Sequence, residues 1–139
     1  MNIQNEEQTQ NAVDAAIAQF GGIDILVNNA SAIDNRGTLD VSMKKYDLMH
    51  TINGRGTFLT SKLCLPHLLK SDNAHVLNMS PPLNMDPRWF KIAGVAYTMA
   101  KCGTLCLRRV YLFFVGCSRF ALPEVYLGSF KSSPLPVAV

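Results

Sequence analysis

Tyr97 and Lys101 stand four residues apart in the segment Tyr97-Thr-Met-Ala-Lys101. On a helix that spacing puts both side chains on one face, within reach of the same reactant. A free phenol titrates near ~10 and is a poor proton donor or acceptor at neutral pH. A neighbouring ammonium favours the phenolate, and each unit of lowering corresponds to about 1.4 kcal/mol. The pair therefore suggests a depressed Tyr97 pKa and proton transfer to or from a carbonyl or alcohol oxygen. Tyr and Lys at this spacing also occur on solvated helices, where they do no chemistry.

Three further polar clusters lie along the chain: Asn28-Asn-Ala-Ser31, Asn53-Gly-Arg-Gly-Thr-Phe58 and Leu77-Asn-Met-Ser80. The first and third follow short apolar runs, at the carboxyl ends of two expected strands. In parallel α/β sheets, ligands gather at those ends. Asn28 and Asn29 also suit plain strand-end hydrogen bonding, and Ser80 suits the capping of a turn. Cys102 and Cys106 are four apart, but no His follows them, so no metal site is expected. His50, His67 and His75 are scattered and receive no ligand role.

The elements that must position these groups can be read from periodicity. Residues 5–20 form an amphipathic pattern, with Ala12, Val13, Ala16, Ile17 and Phe20 at three- and four-residue steps. Glu6 and Glu7 suit the amino end of that helix, and Gly21-Gly22 stops it. Ile23-Asp-Ile-Leu-Val27 fits a buried parallel strand, and Ala74-His-Val-Leu-Asn-Met79 a second. Between them a long helix over about 43–69 starts at Asp40 or Ser42 as cap. Gly54, Gly56 and Pro66 weaken or bend that helix without abolishing it. After a proline-marked loop, residues 92–107 return to helix. The alternation calls for parallel strands covered by helices. Two strands alone cannot shield such a sheet, so a partner for Ile25-Leu26-Val27 is missing from this reading.

Composition fits one globular domain: 139 residues, 48% hydrophobic, 17% charged. The whole net charge of +3 falls after Lys101, where Arg108, Arg109, Arg119 and Lys131 face only Glu124. That stretch also holds three of the four cysteines, so it reads as a different text. Its charge is weak and lacks a stacking motif, so no nucleic-acid partner is expected. The apolar run Val110–Val115 is far shorter than the ~20 residues that cross a bilayer, so no transmembrane segment is expected. No secretory signal is visible, which suggests an intracellular chain with reduced thiols.

The order Asn-Asn-Ala-Ser31, Asn53-x-x-Gly-Thr-Phe58, a Ser-bearing strand end at Ser80, then Tyr97-x-x-x-Lys101 resembles the short-chain dehydrogenase/reductase family. The likeness covers about residues 2–103. It implies an α/β fold, part of a Rossmann-like doubly wound parallel sheet. It implies hydride transfer between NAD or NADP and a small-molecule carbonyl or secondary alcohol. Tyr97 would be the general acid/base. Lys101 would hold the nicotinamide ribose and lower the Tyr97 pKa. Asn53 would distort its helix and hold a water in a proton relay. Asn28, Asn29, Ala30 and Ser31 would steady the strand and lie against the cofactor. Homo- or hetero-oligomers would form through the helices near 43–69 and 92–107. A peroxisome or mitochondrion is implied by resemblance, and the cytoplasm if the absent signals decide.

Three departures qualify the resemblance. The family's catalytic Ser position falls on Pro81 when aligned on the strand end and on Asn84 when counted back from Tyr97. Ser80 then orients substrate only if its loop turns inward. No Gly-rich turn for the pyrophosphate occurs in the 139 residues, and Gly21-Gly22 precedes a strand rather than a helix. Asn2 falls near the family's usual adenine-contacting Asp, so the first strands and the turn are expected to be missing. Beyond Gly103 the likeness stops, and 104–139 read as a divergent tail, disordered or foreign to the fold. Sequence from another exon or frame would give such a tail, and the transcript would show it. The chain is thus expected to be a fragment or splice-type variant of an oxidoreductase with impaired cofactor binding. The alternative is an inactive module that pairs with full-length subunits.

Overall fold

The computed structural model describes residues 2–80, 94–103 and 124–126. Helix α1 spans Glu6–Phe20. Its amino end is capped by Asn5, whose side-chain oxygen accepts from the Gln8 amide at 2.9 Å. It ends at Gly21, where φ of 79° lets the backbone turn left-handed and return an N–H to the Ile17 carbonyl. Val13 and Ile17 turn inward, whereas Phe20, expected on the same stripe, is exposed at the last turn.

Strand β1 (Ile25–Asn28) runs parallel to β2 (His75–Ser80), in register from Ile25 opposite His75 to Asn28 opposite Asn78. The connection between them carries α2 (Met43–Met49) and α3 (Thr57–Leu68), which gives the expected βαβ unit. The single long helix expected over 43–69 is instead three segments. Ser42 stands at the cap position of α2, without a side-chain cap bond. Between α2 and α3, His50–Gly56 forms a π-helix. An extra residue per turn widens the coil there, and the two glycines on either side of Arg55 tolerate it. Pro66 sits inside the last turns of α3 without breaking it.

Two apolar clusters hold these elements. Val13, Cys64, Leu68, Ala74 and Val76 bring α1, α3 and one face of the sheet together, with Leu26 packed against them. Met49, Ala96, Tyr97 and Ala100 form the second, closed by Ala32, Val41 and Tyr46. The last three named in that cluster's core belong to α4, the helical residues 95–103.

The expectation of a fully buried first strand is corrected. Ile25 and Val27 are 57% and 51% exposed, because they project from the sheet face opposite Leu26 and the α1–α3 layer. Among the described residues β1 pairs with β2 alone. The third strand comes from the stretch expected to be a divergent tail, disordered or foreign to the fold. Glu124–Tyr126, β3, lies parallel to β2 with Asn78 opposite Glu124 and Ser80 opposite Tyr126. The rest of 104–139, including Cys106 and the arginines, lies outside the described residues, as does the loop 81–93 with Pro81 and Asn84.

Candidate active site

β1 and β2 are parallel, so Asn28 and Ser80 end on the same side of the sheet. Asn28 is buried and ties three elements together. Its amide nitrogen donates to Asn78 Oδ1 at 2.8 Å and to Ser61 Oγ at 3.1 Å. Its oxygen accepts from Thr60 Oγ1 at 2.7 Å. A buried side-chain amide costs free energy unless its donors and acceptor are matched, and here both ends are. The loop leaving β1 thus starts from a fixed point. Asn29, Ala30 and Ser31 follow it and are exposed.

Asn53 controls the next stretch of that loop. It sits in the middle of the π-helix with no exposed surface. Its Oδ1 accepts from the Ala32 amide at 3.0 Å, and its Nδ2 donates to the Ala32 carbonyl at 2.8 Å. Both ends of the amide therefore hold one residue of backbone. The π-helix also fixes the amino-terminal segment. Arg55 donates to the Gln4 carbonyl at 2.7 Å, and Ile3 packs against Gly56.

Tyr97 and Lys101 rise from α4 toward these strand ends. Tyr97 is 8% exposed and Lys101 3%. Lys101 Nζ donates to the Met79 carbonyl, next to Ser80, at 3.0 Å. The expected lowering of the phenol by the ammonium does not occur in this arrangement. Burial among Met49, Ala96 and Ala100 pushes the Tyr97 pKa up, and a hydrogen bond from the Ser31 hydroxyl pulls it partly back. Burial likewise pushes the Lys101 pKa down. Desolvation disfavours both charges, and the ammonium is directed at a strand carbonyl.

Tyr97, Ser31 and Lys101 are thus brought to the ends of β1 and β2, while one layer behind Asn28 ties side chains of α3 and β2 together and Asn53 holds the Ala32 backbone. Ser80 ends β2 half-buried. The sequence reading missed Thr60, Ser61 and Asn78 as partners of Asn28. Their signal is a pair of adjacent hydroxyl side chains on α3 and an Asn within the apolar part of β2. It also missed Gly94, which precedes α4 and abuts the loop 34–36. Among the described residues no group of acidic, Cys and His side chains is placed to hold a metal, and no helix is long and apolar enough to cross a membrane.

Comparison with known proteins matches this geometry. Residues 1–112 match the family described as short chain dehydrogenase, so the match runs past Gly103. Hydroxysteroid dehydrogenase-like protein 2 of Danio rerio is 60% identical over 108 residues, covering 77% of this chain and 26% of that protein. Its Homo sapiens counterpart is 56% identical over 103 residues, covering 74% and 24%. The chain therefore spans about a quarter of the length of these curated relatives. A crystal structure of a Xanthomonas campestris dehydrogenase superposes with a TM-score of 0.78 at 46% identity, over 86% of this chain and 45% of that one. A short chain dehydrogenase of Mycobacterium thermoresistibile gives 0.75 at 40% identity, over 83% and 41%. Matched by that family over residues 1–112, well over half of its length, the chain belongs to the short-chain dehydrogenase family.

Proposed function

We propose that this chain carries the proton-transfer side of a site for NAD- or NADP-dependent interconversion of a small-molecule carbonyl and secondary alcohol. The observation that supports it is the meeting of the Tyr97 phenol, the Ser31 hydroxyl and the Lys101 ammonium at the carboxyl ends of two parallel strands. The exposed turn Asn29–Ser31 and the buried ammonium suit the ribose and nicotinamide end of a dinucleotide. Lys101 and Asn28–Ser31 are the residues that would hold it. A reduced nicotinamide, when bound, supplies a hydride to the carbonyl carbon.

The chain's own groups handle the proton. With its pKa raised by burial, Tyr97 is protonated at neutral pH and is poised to donate to a carbonyl oxygen. The Ser31 hydroxyl then donates to the phenolate left behind, which solvent reprotonates. Asn53 holds Ala32, and so keeps the loop that carries Ser31 in place. Ser80, at the end of β2, would orient the substrate oxygen. This reading favours the reduction direction.

Dinucleotide affinity is proposed to be weak, because the 139 residues contain no Gly-rich turn to take the pyrophosphate. A second reading, a module that pairs with longer subunits, is favoured by the apolar side chains Met43, Phe58, Val95 and Met99, which stand exposed on α2, α3 and α4. Titration with NADPH and NADH, followed by thermal stability, tests the first reading, with carbonyl reduction assayed at saturating cofactor. Weak binding with turnover that Tyr97→Phe abolishes supports it. Micromolar binding overturns the impairment. A folded chain without turnover at any cofactor concentration, which co-elutes with a full-length relative, supports the second reading instead.

A further inference from the structure

Gly94 is the residue before α4, and its carbonyl accepts the first helical bond, from the Thr98 amide at 3.0 Å. Its α-carbon faces the backbone of the loop that leaves β1. A Cβ placed there would lie 2.7 Å from the Arg36 carbonyl oxygen, 2.9 Å from the Asp34 carbonyl oxygen and 3.2 Å from the Asn35 carbonyl carbon. At the two oxygens that is closer than real Cβ atoms come, and backbone cannot rotate out of the way as a side-chain tip can. The loop itself is shaped by Asp34, whose carboxylate accepts from the Arg36 amide at 3.1 Å and pairs with the Arg36 guanidinium at 2.6 Å.

We infer that Gly94 is a positioning residue for Tyr97: its missing side chain lets the loop 31–36 close on the start of α4, and that closure sets the surroundings of the phenol. The loop is then fastened at two points, with Ala32 held by Asn53 and Asp34–Arg36 seated on Gly94, and it sets the Ser31 hydroxyl beside the phenol. Ala32 and Val41, one inside and one just beyond this stretch, also cover the apolar cluster that contains Tyr97. Lifting the loop at Gly94 therefore uncovers Tyr97, three residues along the helix. The proton-transfer consequence rests on the function proposed above, but the geometric claim does not.

The test follows the Tyr97 phenol in the unliganded full chain, by tyrosinate absorbance against pH, with Tyr97→Phe identifying its contribution. Gly94→Ala is expected to move that titration down toward the ordinary value near ~10, since the burial that raises it is relieved. Gly103→Ala, on the same helix with nothing within 4 Å of its Cβ, is expected to leave it in place. An unchanged titration in folded Gly94→Ala overturns the inference, as does an equal shift in Gly103→Ala. Should Gly94→Ala not fold, Arg36→Ala carries the test from the exposed side of the loop. It is expected to shift the titration in the same direction, and no shift overturns the inference. Failure of the native chain to bind NADPH or to reduce a carbonyl would defeat the proposed function while leaving this measurement intact.

Discussion

Asn53 illustrates how much one side chain can do when both ends of its amide are matched. Replacing it with Ala leaves the Ala32 N–H and C=O without partners in a part-buried place. Each unmet group costs about 1–3 kcal/mol, and Asn53→Ala is expected to lower stability by at least that much, read from the urea midpoint. Asp34 gives a pH-dependent counterpart. Hydrogen bonds from Arg36 hold its carboxyl down to about 2 from 3.8. A depressed carboxylate stabilises the fold above its unfolded value and loses that contribution as pH falls through the folded one. The urea midpoints of the native chain and Asp34→Asn should therefore differ above pH 4 and converge as pH falls from there toward 2. Arg36 is half exposed to solvent, so added salt should shrink the difference.

At the scale of elements, the π-helix is the junction of the molecule. From seven residues it fixes the loop after β1 through Asn53 and the amino-terminal segment through Arg55 and Gly56. Its two glycines are not equivalent. A Cβ at Gly54 meets nothing within 4 Å, so Gly54→Ala should raise stability by up to about 1 kcal/mol through helix propensity. A Cβ at Gly56 would lie 2.6 Å from Ile3 Cδ1, the tip of a flexible side chain that can turn aside. Gly56→Ala is expected to gain less than Gly54→Ala, with thermal melting of the two variants as the comparison. Periodicity made the helical stretch legible and the glycines marked its weak middle. The π-helix itself was not readable from spacing alone, because it is selected by what it holds, the Ala32 backbone and Ile3.

At the scale of the whole molecule, one sheet face is packed and the other is largely open among the described residues. Leu26 and Val76 meet α1 and α3, while Ile25 and Val27 project the other way. Parallel sheets are ordinarily covered on both faces, so this surface should promote association. Ile25→Thr is expected to reduce light scattering at high concentration. Its cost in stability should stay within about 0.5 kcal/mol, because the side chain it replaces is already exposed. Unchanged scattering with a large stability loss would show that Ile25 is covered in solution.

The sequence by itself determined the family, the βαβ order, the glycine stop of α1 and the pairing of Tyr97 with Lys101 on one helical face. The family followed from the resemblance of its motifs, and the rest from local spacing, which fixes which residues share a face whatever lies beside them. Only the tertiary structure decided how those residues are charged and fastened. Whether Tyr97 is lowered by an ammonium or raised by burial depends on where Lys101 points, and it points at the Met79 carbonyl of β2. The seat of the loop on Gly94, and β3 from the divergent tail, are likewise contacts between residues far apart in the chain. Such contacts leave no periodic trace, because backbone packs against backbone there and one missing side chain makes the room.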